Sequence, residues 1–443
     1  SFPDDIHVLE HLDRLIEIFN VCWPMYAAMP AILKDAVERS YKNIGWNVEK
    51  SVNIHGRIFP SFSDVLDEIQ NVLDESAYSE ENKSDYIGSL CTRVRSLTTG
   101  INGLLFTQDE INPEILFDKN TIVDLSRVGS SETKALIMGI LVLKLQEYRQ
   151  HQDNHNADLN HVTVLEEAHN ILKRTATEQS MEGTNLAGKS VEMISNAIAE
   201  MRTYGEGFII ADQAPQLLDK SVIRNTNTKI ILRLPDAEDR QVVGKSVGLT
   251  EEQIEEISRL RRGVAVVSQS DWLNPVLCDI NEYIIQDKKY RYKKPQEVTT
   301  SDETRQYLLD LIAKNELYRC TERVDDLESF KKQILTSSIS GKAKAALYEC
   351  IEHPESENCV MKAVYELFRA DIAFKKTANE TREIKEWAHL MVSELNPSLI
   401  GYDAQTIDMI IQILLVEQSM RDMTFDNLLR RYVEEVKGKG GVY

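Results

Sequence analysis

Five short apolar runs constrain the fold of this chain more than any other feature: residues 121–125 (TIVDL), 162–165 (VTVL), 207–211 (GFIIA), 229–234 (KIILRL) and 263–267 (GVAVV). Helical patterns over 131–149 and 190–204 separate the first of them. Strands that are apolar on both faces and alternate with helices predict an α/β unit, a mainly parallel sheet covered by helices on both faces. The flanks read differently. Leu9, Leu12, Leu15 and Ile16 with Ile18 and Phe19 form a helical stripe, and 64–75 (DVLDEIQNVLDE) repeats it, with Pro24, Pro30 and Pro60 as punctuation. No strand pattern occurs after residue 284, where a basic link from Lys288 to Lys294 leads into a helical remainder with a Gly/Lys-rich tail. Three segments are expected: a helical region over 1–118, the α/β core over 119–283, and a linker with a helical domain over 284–443. A length of 443 residues suits two or three domains.

The charge balance narrows the function classes. With 71 acidic against 51 basic residues the net charge is −20, which argues against a general nucleic-acid coat, since phosphate binding needs clustered Lys and Arg. A ring that holds DNA only in a narrow lumen stays compatible with it. No apolar run approaches the roughly 18 residues of a membrane helix, and Ser1-Phe2-Pro3-Asp4-Asp5 has neither part of a signal peptide. Six cysteines without a CxxC pair read as reduced thiols, so a cytoplasmic protein without membrane association is expected. Cys350, His353 and Cys359 fit no standard zinc spacing.

Three local signals carry chemistry. In His161-Val162-Thr163-Val164-Leu165-Glu166-Glu167-Ala168-His169 a strand ends in two adjacent carboxylates, at the sheet edge where α/β proteins bind ligands. Glu166 is assigned to hold Mg²⁺ through water and Glu167 to polarise an attacking water; an acidic pair capping the next helix is the alternative. In Phe208-Ile209-Ile210-Ala211-Asp212-Gln213 a second strand ends in a glutamine suited to sense a γ-phosphate or the lytic water, or simply to satisfy loop backbone. Arg202 lies at the rim of a helix whose buried stripe is Val191, Ile194, Ile198 and Met201. It suits either an arginine finger into a neighbouring subunit or a surface ion pair with Glu200 or Glu206.

In that order, on alternating strands and helices, the carboxylate pair, arginine and strand-terminal glutamine resemble the HerA/FtsK group of P-loop motors. The likeness to HerA-like ATPases extends through Glu206 to Trp272, including Asn225-Thr226-Asn227-Thr228-Lys229-Ile230, and to Trp23-Pro24-Met25-Tyr26 and Gly45-Trp46. It covers roughly residues 1–283. The resemblance implies a RecA-like core, ATP and Mg²⁺ as cofactors, Glu166 and Glu167 as the Walker B pair, Gln213 as sensor and Arg202 as a finger acting in trans. Arg233 is a further candidate for a phosphate-facing arginine. Glu166 stands where an aspartate is commonest. These 443 residues contain no GxxxxGK[ST] loop, without which a P-loop site binds nucleotide poorly. The chain is therefore expected to begin downstream of it, the loop coming from an upstream segment or a separate polypeptide; a non-hydrolysing subunit is a third option. Lys173, Arg174 and Lys189, around Gly183 and Gly188, are candidates for a DNA-contacting pore loop, with an ordinary surface loop as the alternative; the Lys288–Lys294 patch suits backbone and stacking contacts or a solvated linker. The resulting expectation is a homo-hexameric translocase of double-stranded DNA partnered by a nuclease or a phage-defence effector. A secretion or conjugation ATPase and a ring scaffold for a partner enzyme are the alternatives.

Overall fold

The computed structural model describes every residue except 108–109, 153–154, 175–185, 285–306, 310–326, 338, 354–355, 378–382, 400 and 440–443. The basic link Lys288–Lys294 and Gly183, both named above, lie outside the described residues. The chain divides into two compact units: residues 2–34 with 111–293, and residues 35–110 with 294–443, which also takes Ser1.

In the first unit the helix Val8–Cys22 buries Val8, Leu12, Ile16, Ile18 and Phe19, close to the stripe read from the sequence. It lies on the helix Ser131–His151 so tightly that a Cβ on Gly139 would come within 2.5 Å of Ile18 Cγ2. Inside this contact the His11 Nδ1 and Glu147 Oε1 are 2.7 Å apart and buried. Strand β3 (His161–Glu166) pairs with β4 (Glu206–Ala211) in parallel, His161 opposite Glu206 and Glu166 opposite Ala211. A parallel pair needs a helical crossover, here the helix Leu186–Glu200 and a 3₁₀ turn over Met201–Tyr204 that ends on Gly205 at φ +79°.

The expectation of a mainly parallel sheet is corrected by the rest of this unit. Strands β5 (Thr228–Ile231), β6 (Val264–Gln269) and β7 (Val276–Asp279) form an antiparallel sheet. The short link between β6 and β7 permits only antiparallel pairing. Between β5 and β6 the helices Ala237–Ser246 and Glu251–Glu256 leave and return to the same strand end. Ile231, Ile257 and Val266 form the small core beneath them. The expected strand at 121–125 belongs to no ladder among the described residues, and Ile122 is 94% exposed. Local bonds shape that segment instead: Thr121 Oγ1 donates to Ile115 O, and Ser126 N to Asp124 Oδ1. Val162, Val164 and Ile209 are also exposed, so the β3–β4 pair shows apolar surface that strands buried on both faces would cover. No helix among the described residues is long and apolar enough to cross a membrane.

The second unit carries one short antiparallel hairpin, β1 (Trp46–Asn47) against β2 (Val52–Asn53), and its other regular elements are helices among the described residues. Its helix Phe62–Glu75 starts with a capping box: the Ser61 N–H donates to Asp64 Oδ2 at 2.7 Å and Ser61 Oγ accepts from the Asp64 N–H. Asp64 then caps a helix far away in sequence, accepting from Gly341 N at 2.8 Å and Lys342 N at 3.2 Å. Gly341 is sterically required there, since a Cβ would meet Phe59 O at 2.9 Å. Lys342 Nζ reaches Glu68 at 2.9 Å, and Arg369 Nη2 reaches both oxygens of Asp67 at 2.8 and 2.9 Å. These contacts unite 35–110 with the C-terminal helices, so the units differ from the three consecutive segments expected from the sequence.

Asp67 makes this unit's stability depend on pH. Burial pushes its carboxyl up from 3.8 to about 6, against the opposing pull of Arg369. The folded unit thus holds this proton more tightly than the unfolded chain, so the contribution is complete below pH 3.8 and disappears as pH rises through about 6. Its size is about 3 kcal/mol. In urea unfolding between pH 4 and 7, the stability of wild type relative to Asp67→Asn is expected to fall with rising pH. A difference that stays constant across this range would refute the assignment.

Candidate active site

The parallel register of β3 and β4 brings two loops side by side. Glu166 ends β3 opposite Ala211, and the chains beyond them carry Glu167 and Gln213. Glu167 is a non-glycine residue in the left-handed region, φ +54° and ψ +43°, a conformation costing roughly 1–2 kcal/mol for a residue with a Cβ. The turn is held by Asn170, whose backbone N–H and side-chain Nδ2 both donate to Glu167 O at 2.9 and 2.8 Å. Beneath it Ala168, Ile171 and Leu172 are completely buried. Strain kept in place by such packing concentrates at functional sites.

Gln213 Nε2 donates to Glu167 Oε1 at 3.2 Å, so the structure brings together the two residues that the sequence assigned to water activation and sensing. The Glu166 side chain is exposed and makes no hydrogen bond or ion pair among the described residues. Its free carboxylate oxygens are the hard donors that suit Mg²⁺, which binds proteins through one or two carboxylates and keeps several waters.

Two residues of this site escaped the sequence reading. The Asp212 side chain, 3% exposed, accepts from the backbone N–H groups of His169 at 2.8 Å and Ala214 at 2.9 Å. It also faces His169 Nδ1 at 2.9 Å. The other ring nitrogen, Nε2, lies 3.7 Å from Glu167 Oε2. Both residues stand inside the quoted motifs, but only the strand register reveals that they pair.

The remaining candidates are dispersed. Arg202 is exposed on the 3₁₀ turn before β4, at the opposite end of the strands from Glu167. The five steps along β4 alone separate the two ends by about 16 Å. Within one chain Arg202 and Glu167 are therefore not brought together. Glu206, one of the ion-pair partners considered for Arg202, is instead fully buried and engaged by Arg149 at 2.9 Å, His161 at 2.8 Å and Thr163 at 2.6 Å. Arg233 is exposed just past β5. Lys173 and Arg174 are exposed, their backbone tied to Leu218 and Leu217, and Lys189 is exposed on the helix Leu186–Glu200. Gly183 lies outside the described residues.

No protein-family model matches the chain. Among curated proteins it is 20% identical over 296 residues to the DNA double-strand break repair helicase HerA of Sulfurisphaera tokodaii, covering 64% of this chain and 57% of that protein. It is 27% identical over 178 residues to the HerA of Sulfolobus acidocaldarius, covering 40% of this chain and 34% of that protein. A probable helicase of Methanocaldococcus jannaschii is 24% identical over 176 residues, 38% of this chain and 32% of that protein. The chain thus spans about half the length, or less, of the curated relatives it matches. Among solved structures, VirB4 of Thermoanaerobacter pseudethanolicus superposes with a TM-score of 0.43 at 15% identity, over 62% of this chain and 70% of that one. The curated proteins to which this chain is similar thus include HerA helicases, each matched over only part of its length.

Proposed function

We propose that these residues are the part of a HerA-like ring ATPase that follows its phosphate-binding loop, and that the complete protein uses ATP to translocate double-stranded DNA. The observation carrying this reading is the contact of Gln213 with Glu167 at the carboxyl ends of adjacent parallel strands. There Glu167 takes the proton of an attacking water, and Gln213 registers whether the γ-phosphate is present. Glu166 would hold Mg²⁺ through water, and the ion would supply charge neutralisation on the phosphates. The exposed apolar residues Val162, Val164 and Ile209 leave a sheet surface that the further strands of a RecA-like core would cover.

The position of Arg202 favours a ring. Its guanidinium is on the wrong strand end for Glu167 of its own chain, so a catalytic role requires a neighbour's nucleotide, and a closed homo-hexamer supplies one. Arg233 is the second candidate for a phosphate contact. Lys173, Arg174 and Lys189 would meet the DNA backbone, and a nuclease or defence effector would use the motion, in the cytoplasm. The test is steady-state ATP turnover of the complete protein, phosphate loop included, with and without duplex DNA. Duplex is expected to stimulate turnover, and the stimulation is expected to fade as salt rises, because phosphate contacts release counterions. Turnover indifferent to duplex at low salt would count against translocation and favour a ring scaffold.

A further inference from the structure

The Asp212–His169 pair adds a component that the assignment of Glu167, Glu166 and Gln213 does not use. The two oxygens of Glu167 are addressed from two loops. Oε1 receives Gln213 Nε2 at 3.2 Å, from the loop after β4. Oε2 lies 3.7 Å from Nε2 of His169, on the turn after β3. The imidazole is anchored at its other nitrogen, because Asp212 can only accept and therefore draws the Nδ1–H. Asp212 also accepts the backbone N–H groups of His169 and Ala214, so a single buried carboxylate ties the β3 turn to the β4 loop. Glu167 needs such a tether, since its left-handed backbone gains nothing by itself from staying in that conformation.

We propose that His169 is a positioning residue: anchored at Nδ1 by the buried Asp212, its ring edge at Nε2 stands 3.7 Å from Glu167 Oε2 and limits where that carboxylate can swing. The proposal rests on the reading of Glu167 as the water-activating base. It predicts that the two ring nitrogens do separable jobs. Glutamine at position 169 places an amide near the Nε2 position and keeps a polar group facing Glu167. Asparagine reaches only as far as Nδ1 and keeps the Asp212 contact alone.

The experiment measures ATP binding, kcat and KM for the complete protein, phosphate loop included, as His169→Ala, His169→Gln and His169→Asn, with Glu167→Gln as control. His169→Ala is expected to lower kcat by about tenfold with KM within threefold of wild type. His169→Gln should recover most of that loss, and His169→Asn should not. An inactive Glu167→Gln beside a His169→Ala that turns over within threefold of wild type would overturn the role of His169 while leaving the base assignment standing. Equal recovery by asparagine and glutamine would overturn it too, reducing His169 to a structural clamp. A Glu167→Gln protein that turns over normally would instead remove the base assignment, and the proposal with it. Should His169→Ala fail to fold, the comparison of asparagine with glutamine still decides the matter.

Discussion

Glu167→Gln, in the complete protein, is expected to lower ATP turnover by at least about a hundredfold while ATP binding and assembly persist. Removing a general base typically forfeits a factor of about 10²–10⁴. The amide matches the carboxylate in shape, and its oxygen can still accept from Gln213 Nε2, which now sits 3.2 Å from Oε1. The strained backbone is equally tolerable for glutamine, so the substitution should leave the turn over residues 168–170 in place. What disappears is the capacity to take a proton from water. Glu166→Gln differs in kind, since an amide oxygen can still be approached by a hydrated cation, and a smaller loss is expected from it. Steady-state turnover and nucleotide titration of both variants check the ordering. Turnover of Glu167→Gln within a few-fold of wild type would end the role assigned to this residue.

The second large effect is expected at the far end of the same strands. Arg149 is 5% exposed and Glu206 fully buried. The guanidinium donates from Nε to Glu206 at 2.9 Å, from Nη1 to Asp118 at 2.6 Å and from Nη2 to Phe117 O at 2.5 Å. Arg149→Met would leave the Glu206 carboxylate in a dry interior with only His161 and Thr163 to satisfy it. Breaking a buried pair from one side typically costs about 3–5 kcal/mol, whereas replacing both partners by apolar groups of similar volume is often nearly neutral. Arg149→Met is therefore expected to lower the denaturant midpoint sharply, and Arg149→Met with Glu206→Leu to recover most of the loss. A double variant as unstable as the single one would mean that the pair's own attraction, and not relief of an orphaned charge, holds this region.

Much of the fold was legible in residue order. The stripe Leu12, Ile16, Ile18 and Phe19 predicted a helix, and the alternation of VTVL and GFIIA with helical patterns predicted the parallel pair that now carries the site. These features are local, and local periodicity follows from which residues one element must bury. The antiparallel β5–β7 sheet was not legible, because strand direction depends on where two intervening helices return the chain. The run at 121–125 had strand composition but finds no ladder among the described residues, since propensity supplies no neighbour.

The candidate site divides along the same line. The sequence alone determined which candidate groups were present: a carboxylate pair and a glutamine, each at the end of an apolar run, need no tertiary information to be found. Only the tertiary structure decided which groups meet. Asp64 and Gly341 join across 277 positions, Asp212 reaches His169 across 43, and Glu167 takes a backbone conformation that no residue with a Cβ prefers. Each of these depends on the register and packing of elements distant in the chain. Hydrogen bonds and strain of that kind exist only once the buried surfaces of those elements hold the two loops together.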